Sequence, residues 1–198
     1  MGWRMNVHLI FVRDEDYFRL LPRAERSAAP GAERVSVMAF PPLGIQALAP
    51  VVRQHGHSVR LFDTCHPAMR ATRIVDAVKT ERPDVVALSF LSTTAYPAVK
   101  HLAEHIKAAT PEVSVIAGGP FATISPVHIL KDCRAIDCVG VGEGEELLPD
   151  YLDHLEDCGA VAGLVWRRGG EVVCNQPRPL IGDLDKLPYP DRVTLPID

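Results

Sequence analysis

The chain has 198 residues, 47% of them hydrophobic and 23% charged, with a net charge of −4. That length accommodates one domain with a full core plus a short appendage, and the composition is that of an ordinary globular protein. The charge offers no general attraction to nucleic acid or an anionic membrane, and no apolar run approaches the roughly 20 residues that span a bilayer. The opening stretch, MGWRMNVHLIFVRDED, holds one short apolar run that stops at Arg13 and Asp14 with no small-residue cleavage site after it. The sequence therefore predicts no secretory signal and a cytoplasmic location. Five cysteines at 65, 133, 138, 158 and 174 contain no C-x-x-C pair. They read as reduced thiols behaving as small apolar residues, not as a zinc or iron–sulfur site.

Short apolar runs alternate with amphipathic stretches along the chain. Val7–Val12 reads as a buried first strand, and a long charged, Ala- and Pro-rich segment from Arg13 to Pro42 follows it. Gly44–Gln54 carries an apolar stripe of Ile45, Leu48, Val51 and Val52 and predicts a helix, with Pro50 pointing to a kink or a late start. Ser58–Phe62 predicts the second strand, Ala71–Thr80 a helix, Asp84–Phe90 the third strand and Ala95–Ala109 a helix. Val113–Ala117 predicts the fourth strand, ending in Gly118-Gly119-Pro120. A short helix over 126–130 leads to a fifth strand, Ala135–Val139. Gly142-Glu143-Gly144-Glu145 opens a last helix bearing Leu147, Leu148, Tyr151, Leu152 and Leu155. Two short β runs flanking Gly169-Gly170 predict a hairpin. Beyond Asn175, five prolines and several aspartates predict an extended connector. A chain ending on a connector leads us to expect further protein downstream.

Five strands alternating with helices predict an α/β fold of flavodoxin-like (Rossmann-like) type: a doubly wound five-stranded parallel sheet in order 2-1-3-4-5, with helices on both faces. The C-terminal β-hairpin and connector complete it. The expected divisions are an α/β domain over 5–158, the hairpin over 160–176 and the connector over 177–198. Ligands in such sheets bind at the carboxyl ends of the strands beside the switch in strand order. That directs attention to the loops 13–42, 90–96, 118–125 and 140–145.

Ser89, Ser92, Thr93 and Thr94 supply four hydroxyls within six residues near a helix start, suited either to phosphate or amide oxygens or to helix capping. Gly118-Gly119 permits close approach of a ligand to backbone, or simply makes a tight turn. Gly142-Glu143-Gly144-Glu145 matches a strand-to-helix turn with acids complementing the helix dipole. Neither glycine motif matches a dinucleotide fingerprint or a Walker A loop. A phospho-acceptor receiver is disfavoured because the third strand ends in Ser89 and no Lys follows the fifth. His101 and His105 lie four apart on a helix, which suits a metal pair or a solvated face. No nucleophile–base pair for a catalytic site stands out.

In order and spacing, several motifs resemble one family: Pro41-Pro42-Leu43-Gly44, Gly56-His57, strand two ending at Asp63, Asp84–Ser89, Val115–Pro120, Gly140–Glu145 and Leu187-Pro188-Tyr189-Pro190-Asp191-Arg192. Together they resemble the N-terminal cobalamin-binding domain of cobalamin-dependent radical S-adenosylmethionine enzymes, a group similar to the anaerobic magnesium-protoporphyrin IX monomethyl ester cyclase and related methyltransferases. The resemblance runs from Met5 to Asp198. It implies cobalamin at the carboxyl edge of the sheet, its nucleotide tail descending between the strand-three and strand-four loops. By position it implies cofactor contacts from Leu43, Gly44, Ser89, Ser92, Thr93, Gly118, Gly119, Pro120, Gly142 and Glu143, with the 13–42 loop facing the lower side of the cobalt.

The family's cysteine triad for a [4Fe–4S] cluster has no counterpart in this chain. The resemblance therefore assigns cluster, S-adenosylmethionine and radical chemistry to a downstream domain, the expected partner, and no catalytic or metal-ligating residue to this part. Other cobalamin modules carry D-x-H-x-x-G after strand one, its His binding cobalt. No His occurs here between His8 and His55, and His66 follows strand two, on the wrong side of the switch point. The resemblance thus implies cobalamin held without a histidine lower ligand. The alternative is a cofactor-free flavodoxin-like scaffold or interaction domain of the same ancestry.

Overall fold

The computed structural model describes residues 4–13, 41–64 and 71–195. Among these, seven strands form one sheet in the order β2-β1-β3-β4-β5-β6-β7. The strands are β1 (Asn6–Phe11), β2 (Ser58–Asp63), β3 (Val85–Ser89), β4 (Ser114–Gly118), β5 (Cys138–Gly140), β6 (Leu164–Arg168) and β7 (Glu171–Cys174). The first five are parallel in the expected 2-1-3-4-5 order; β6 and β7 continue the sheet antiparallel. Gly169 and Gly170 both take positive φ (58° and 92°), and Arg168 faces Glu171, as a two-residue hairpin turn of this hand requires. No described helix is long and apolar enough to cross a membrane.

Alternation along each strand sorts side chains onto two faces. On one, Ile10, Val86, Leu88, Val115 and Val139 pack with Ile74 and Val78 of α2 (Ala71–Glu81), Val99 and Ile106 of α3 (Tyr96–Ala109), and Ile129 and Leu130 of α5 (Pro126–Asp132). On the other, Val7, Leu9, Val85, Ile116 and Leu164 pack with Ile45, Ala49 and Val52 of α1 (Leu43–Gln54), and Leu147, Leu148, Tyr151 and Leu152 of α6 (Gly144–Asp153). The short α4 (Pro120–Ile124), not expected from the sequence, starts at Pro120, where a preset φ and a missing N–H suit the first helical turn.

The fifth strand is shorter than the expected 135–139. Asp137 still joins β4 through its N–H, which donates to the Val115 carbonyl (2.8 Å), but its carboxylate takes the Val115 N–H (2.7 Å) and pairs with Lys107 (2.8 Å), and the Ile136 carbonyl accepts from Arg167 (2.5 Å) instead of from a strand. Arg167 also donates to the carbonyls of Leu130 and Cys133, 2.6 Å each, at the end of α5. One half-buried guanidinium thus satisfies three carbonyls and locks the hairpin to the sheet. Arg167→Met should destabilise the fold by about 3 kcal/mol in urea titration, because those acceptors lose their partner.

His8 lies on the α2 side of β1, buried, with Nε2 3.0 Å from Glu81 and no partner at Nδ1. Glu81 also pairs with Arg60. Burial, reinforced by the charge of Arg60, pushes the His8 pKa from 6.5 down to about 4. The unfolded chain therefore binds the extra proton first as pH falls. The contribution of neutral His8 is intact above pH 6.5 and is lost between pH 6.5 and 4, about 2–3 kcal/mol in all. Urea midpoints at pH 7.5 and 4.5 should differ measurably less in His8→Leu than in the parent chain.

Candidate functional site

A cavity of about 580 Å³ opens at the carboxyl ends of β1, β3, β4 and β5 and runs inward between α1 and α6. Parallel register builds its floor in two rows. Leu9, Ala87 and Ile116 stand side by side in the deeper row, and Phe11, Ser89 and Gly118 in the outer one, with Gly140 beside them. Ile45 and Leu48 of α1 and Leu147 and Leu148 of α6 form the walls. Small residues keep the slot open: a Cβ on Gly140 would meet Leu147 Cδ2 at 2.9 Å, and one on Gly144 would meet Leu48 Cδ2 at 3.0 Å, where α1 and α6 approach.

The mouth is made by turns. Gly119 sits at φ 96°, ψ 179°, a region restricted to glycine, and a Cβ there would lie 2.5 Å from the Phe90 carbonyl oxygen. Gly142, φ 91°, donates its N–H to Thr123 Oγ1 at 3.1 Å, tying the β5 loop to α4. The polar side chains in the lining, Arg13, Ser89, Glu143 and Glu145, stand at the strand ends and loops; the deeper lining is apolar.

Of the positions implied by resemblance, Leu43, Gly44, Ser89, Gly118, Gly119, Pro120, Gly142 and Glu143 all line the cavity. Ser92 and Thr93 are not among the lining residues. Ser92 Oγ accepts from the Ala95 N–H (3.3 Å) and pairs with Thr94 Oγ1 (3.0 Å), and the Thr93 carbonyl accepts from Tyr96 N–H (3.3 Å), so both sit in the turn that starts α3. The 13–42 loop lies outside the described residues apart from Arg13, Pro41 and Pro42, all of which line the cavity. His66 and Cys65 also lie outside them. His101 and His105 meet on the exposed side of α3, ring centroids 4.1 Å apart and planes tilted by 53°. The floor residues Leu9, Ala87 and Ile116 were not expected from the sequence, whereas Gly140 belongs to the 140–145 loop that was. The signal was present in the alternation of β3, where Val85, Ala87 and Ser89 share one face.

The connector is bound to both helices that wall the cavity. The Ile181 N–H donates to Glu143 Oε2 at 2.6 Å, and Arg178 pairs with Asp150 of α6 and donates to the Ala162 carbonyl. Farther on, the Asp191 N–H donates to the Gln46 carbonyl at 2.8 Å. That acceptor is available because Pro50, four residues later, has no N–H to occupy it. Proline therefore leaves α1 continuous but opens one carbonyl for the connector. Burial alone would raise the Asp191 pKa. Hydrogen bonds from Thr194, Arg53 (2.5 Å) and the Val193 and Thr194 N–H groups instead hold it well below the usual carboxylate range. The attachment is thus intact at neutral pH and weakens as acid protonates Asp191. Leu195 then buries in the core on the α1 side. Asp191→Ala should leave the sheet folded but make the connector cleavable by limiting protease at least about tenfold faster.

The fit to a cobalamin-type cofactor is good on geometry: a deep apolar slot for a planar base, a glycine-lined edge for close approach, and polar groups confined to the mouth. Comparison with known proteins agrees. The B12 binding domain family matches residues 34–152. An uncharacterized methyltransferase of Pyrococcus horikoshii is 32% identical over 169 residues, covering 84% of this chain and 36% of that protein. The anaerobic magnesium-protoporphyrin IX monomethyl ester cyclase of Synechocystis is 30% identical over 156 residues, covering 77% and 31%. The chain thus spans about a third of the length of these relatives. Two solved structures share the fold with a TM-score of 0.68 each. One is the radical S-adenosylmethionine methyltransferase TsrM of Kitasatospora setae with cobalamin and a [4Fe–4S] cluster bound (16% identity, 95% of this chain and 31% of that one). The other is the radical enzyme OxsB with aqua-cobalamin bound (18% identity, 95% and 24%). The chain belongs to the B12-binding domain family, as the cobalamin-binding domain found in cobalamin-dependent radical S-adenosylmethionine enzymes.

Proposed function

We propose that this chain is the cobalamin-holding part of a radical S-adenosylmethionine enzyme of methyltransferase or tetrapyrrole-cyclase type, and that it takes the nucleotide tail of the cofactor into the cavity between α1 and α6. The observation that carries this reading is the shape and chemistry of that slot. It suits a flat apolar base, and its apolar lining leaves the amide-rimmed corrin ring to the mouth. Leu43, Gly44, Gly118, Gly119 and Pro120 then form the rim, and Ser89 and Glu143 are the polar groups nearest the tail. When bound, cobalamin supplies a cobalt centre that carries and transfers alkyl groups. The chain's own residues hold the tail, exclude water from the base and fix the orientation of the ring.

A base inside the protein is a base removed from cobalt, and among the described residues the lining contains no histidine to replace it. The reading is therefore an open or water-bound lower face. The electron paramagnetic resonance spectrum of the chain loaded with cob(II)alamin tests this. The expected spectrum is base-off, with no nitrogen superhyperfine splitting. Splitting from an imidazole of the protein, or from a dimethylbenzimidazole still on cobalt, would contradict it. Cluster, S-adenosylmethionine and a downstream domain of the same chain complete the proposed enzyme.

A further inference from the structure

We propose that the cavity floor selects among corrinoids by their lower base, favouring benzimidazole and phenolic bases over purines. The inference rests on the placement of the nucleotide tail given above and deepens it.

Corrinoids share one macrocycle and differ in the base at the end of the tail, so a protein that buries this base can distinguish them. Here the deepest lining consists of Leu9, Ala87 and Ile116 on the sheet, with Leu48 and Leu147 closing over them from α1 and α6. None of these side chains has a hydrogen-bonding atom. The backbone is equally unhelpful, because Leu9, Ala87 and Ile116 lie within paired strands whose N–H and C=O groups serve the ladder. The nearest polar side chains of the lining, Ser89 and Glu143, belong to the mouth, and Glu143 is already occupied by the Ile181 N–H.

Dimethylbenzimidazole brings one ring nitrogen beyond its glycosidic bond and two methyl groups that gain from apolar contact. p-Cresol brings no polar group beyond its glycosidic oxygen. Adenine brings an exocyclic amine and further ring nitrogens, each leaving water with no side-chain partner in the deep row. Each orphaned buried group weakens binding by about tenfold, the asymmetry by which apolar pockets reject polar isosteres when they lack a matching group.

Equilibrium dialysis of the chain against p-cresolyl, dimethylbenzimidazolyl and adeninyl cobamides tests this. The expected order places the adeninyl compound at least about tenfold weaker than the p-cresolyl compound. Adenine leaves cobalt more readily than dimethylbenzimidazole, so the cost of freeing the base would place the adeninyl compound ahead of the dimethylbenzimidazolyl one, opposite to the order expected here. Ala87→Ser sets a hydroxyl in the deep row and should shrink the cresolyl-to-adeninyl ratio by about threefold or more. Equal affinity for all three compounds, a preference for the adeninyl form, or a ratio unmoved by Ala87→Ser would overturn the inference while leaving cobalamin binding intact. Failure of every cobamide to bind would remove the proposed function and this inference with it.

Discussion

Ala87→Leu is expected to abolish retention of cobalamin while leaving the unliganded chain as stable as before, or slightly more so. Ala87 stands in the middle of the deep row, between Leu9 and Ile116. A leucine there projects into the open cavity rather than into packed atoms, so it fills space that a ligand would need. The added methylenes gain apolar burial of up to about 1–2 kcal/mol in the free protein. The same atoms exclude a planar base, and affinity should fall by more than about 100-fold, the scale of several kcal/mol of overpacking. Dialysis against hydroxocobalamin and thermal unfolding of the unliganded variant read the two effects separately. Loss of binding accompanied by loss of folding would contradict the placement of residue 87 with its side chain at the open floor of the cavity.

The second large effect is expected at Gly119, where stability and site are joined. Its φ of 96° and ψ of 179° cost a residue with a side chain about 1–3 kcal/mol in backbone strain. The 2.5 Å approach to the Phe90 carbonyl involves main chain, which relieves the clash only by moving the loop between β3 and α3. Gly119→Ala should therefore lower stability by about 3–4 kcal/mol in urea and disorganise the cavity rim. Gly118, where a Cβ would meet nothing within 4 Å, provides the contrast: Gly118→Ala should cost much less stability and act mainly on cofactor affinity. Equal destabilisation by the two substitutions would contradict the assignment of the special backbone to Gly119.

Much of this architecture was readable from residues. The continuous apolar runs of β3 and β4 and the stripes of α1 and α3 marked the α/β class, and the order 2-1-3-4-5 was expected from the flavodoxin-like type. Gly169-Gly170 gave the hairpin turn because its two positive φ values demand residues without a Cβ. Other features depended on contacts between distant segments. Antiparallel pairing of β6 with β5 requires β5 to end a parallel sheet with an open edge, which no local pattern reports. At the start of β5 the Asp137 carboxylate takes the Val115 N–H and Arg167 takes the Ile136 carbonyl, contacts that span about 20 and 30 residues of sequence. Pro50 illustrates the limit best. Its local effect was expected to be a kink or a late start, but the helix runs through it and the freed Gln46 carbonyl receives Asp191 from the connector.

For the site, the motifs at the strand ends identified the rim, since glycine and proline turns mark themselves in sequence. The floor is made of ordinary core residues, and only the register of β1, β3 and β4 shows that Leu9, Ala87 and Ile116 form one row beneath an opening. Ser92 and Thr93 carry side chains suited to a ligand as much as to a turn, and the hydrogen bond from Ala95 to Ser92 places them at the start of α3.

Occupancy of the slot between α1 and α6 by a corrinoid is the proposal on which the others rest. Its most direct test is to mix the purified chain with hydroxocobalamin, remove unbound cofactor on a desalting column, and record the visible spectrum beside that of Ala87→Leu. Corrin bands at close to one equivalent in the parent chain and a colourless variant are the expected result; a colourless parent chain, or equal retention by the variant, would contradict that occupancy.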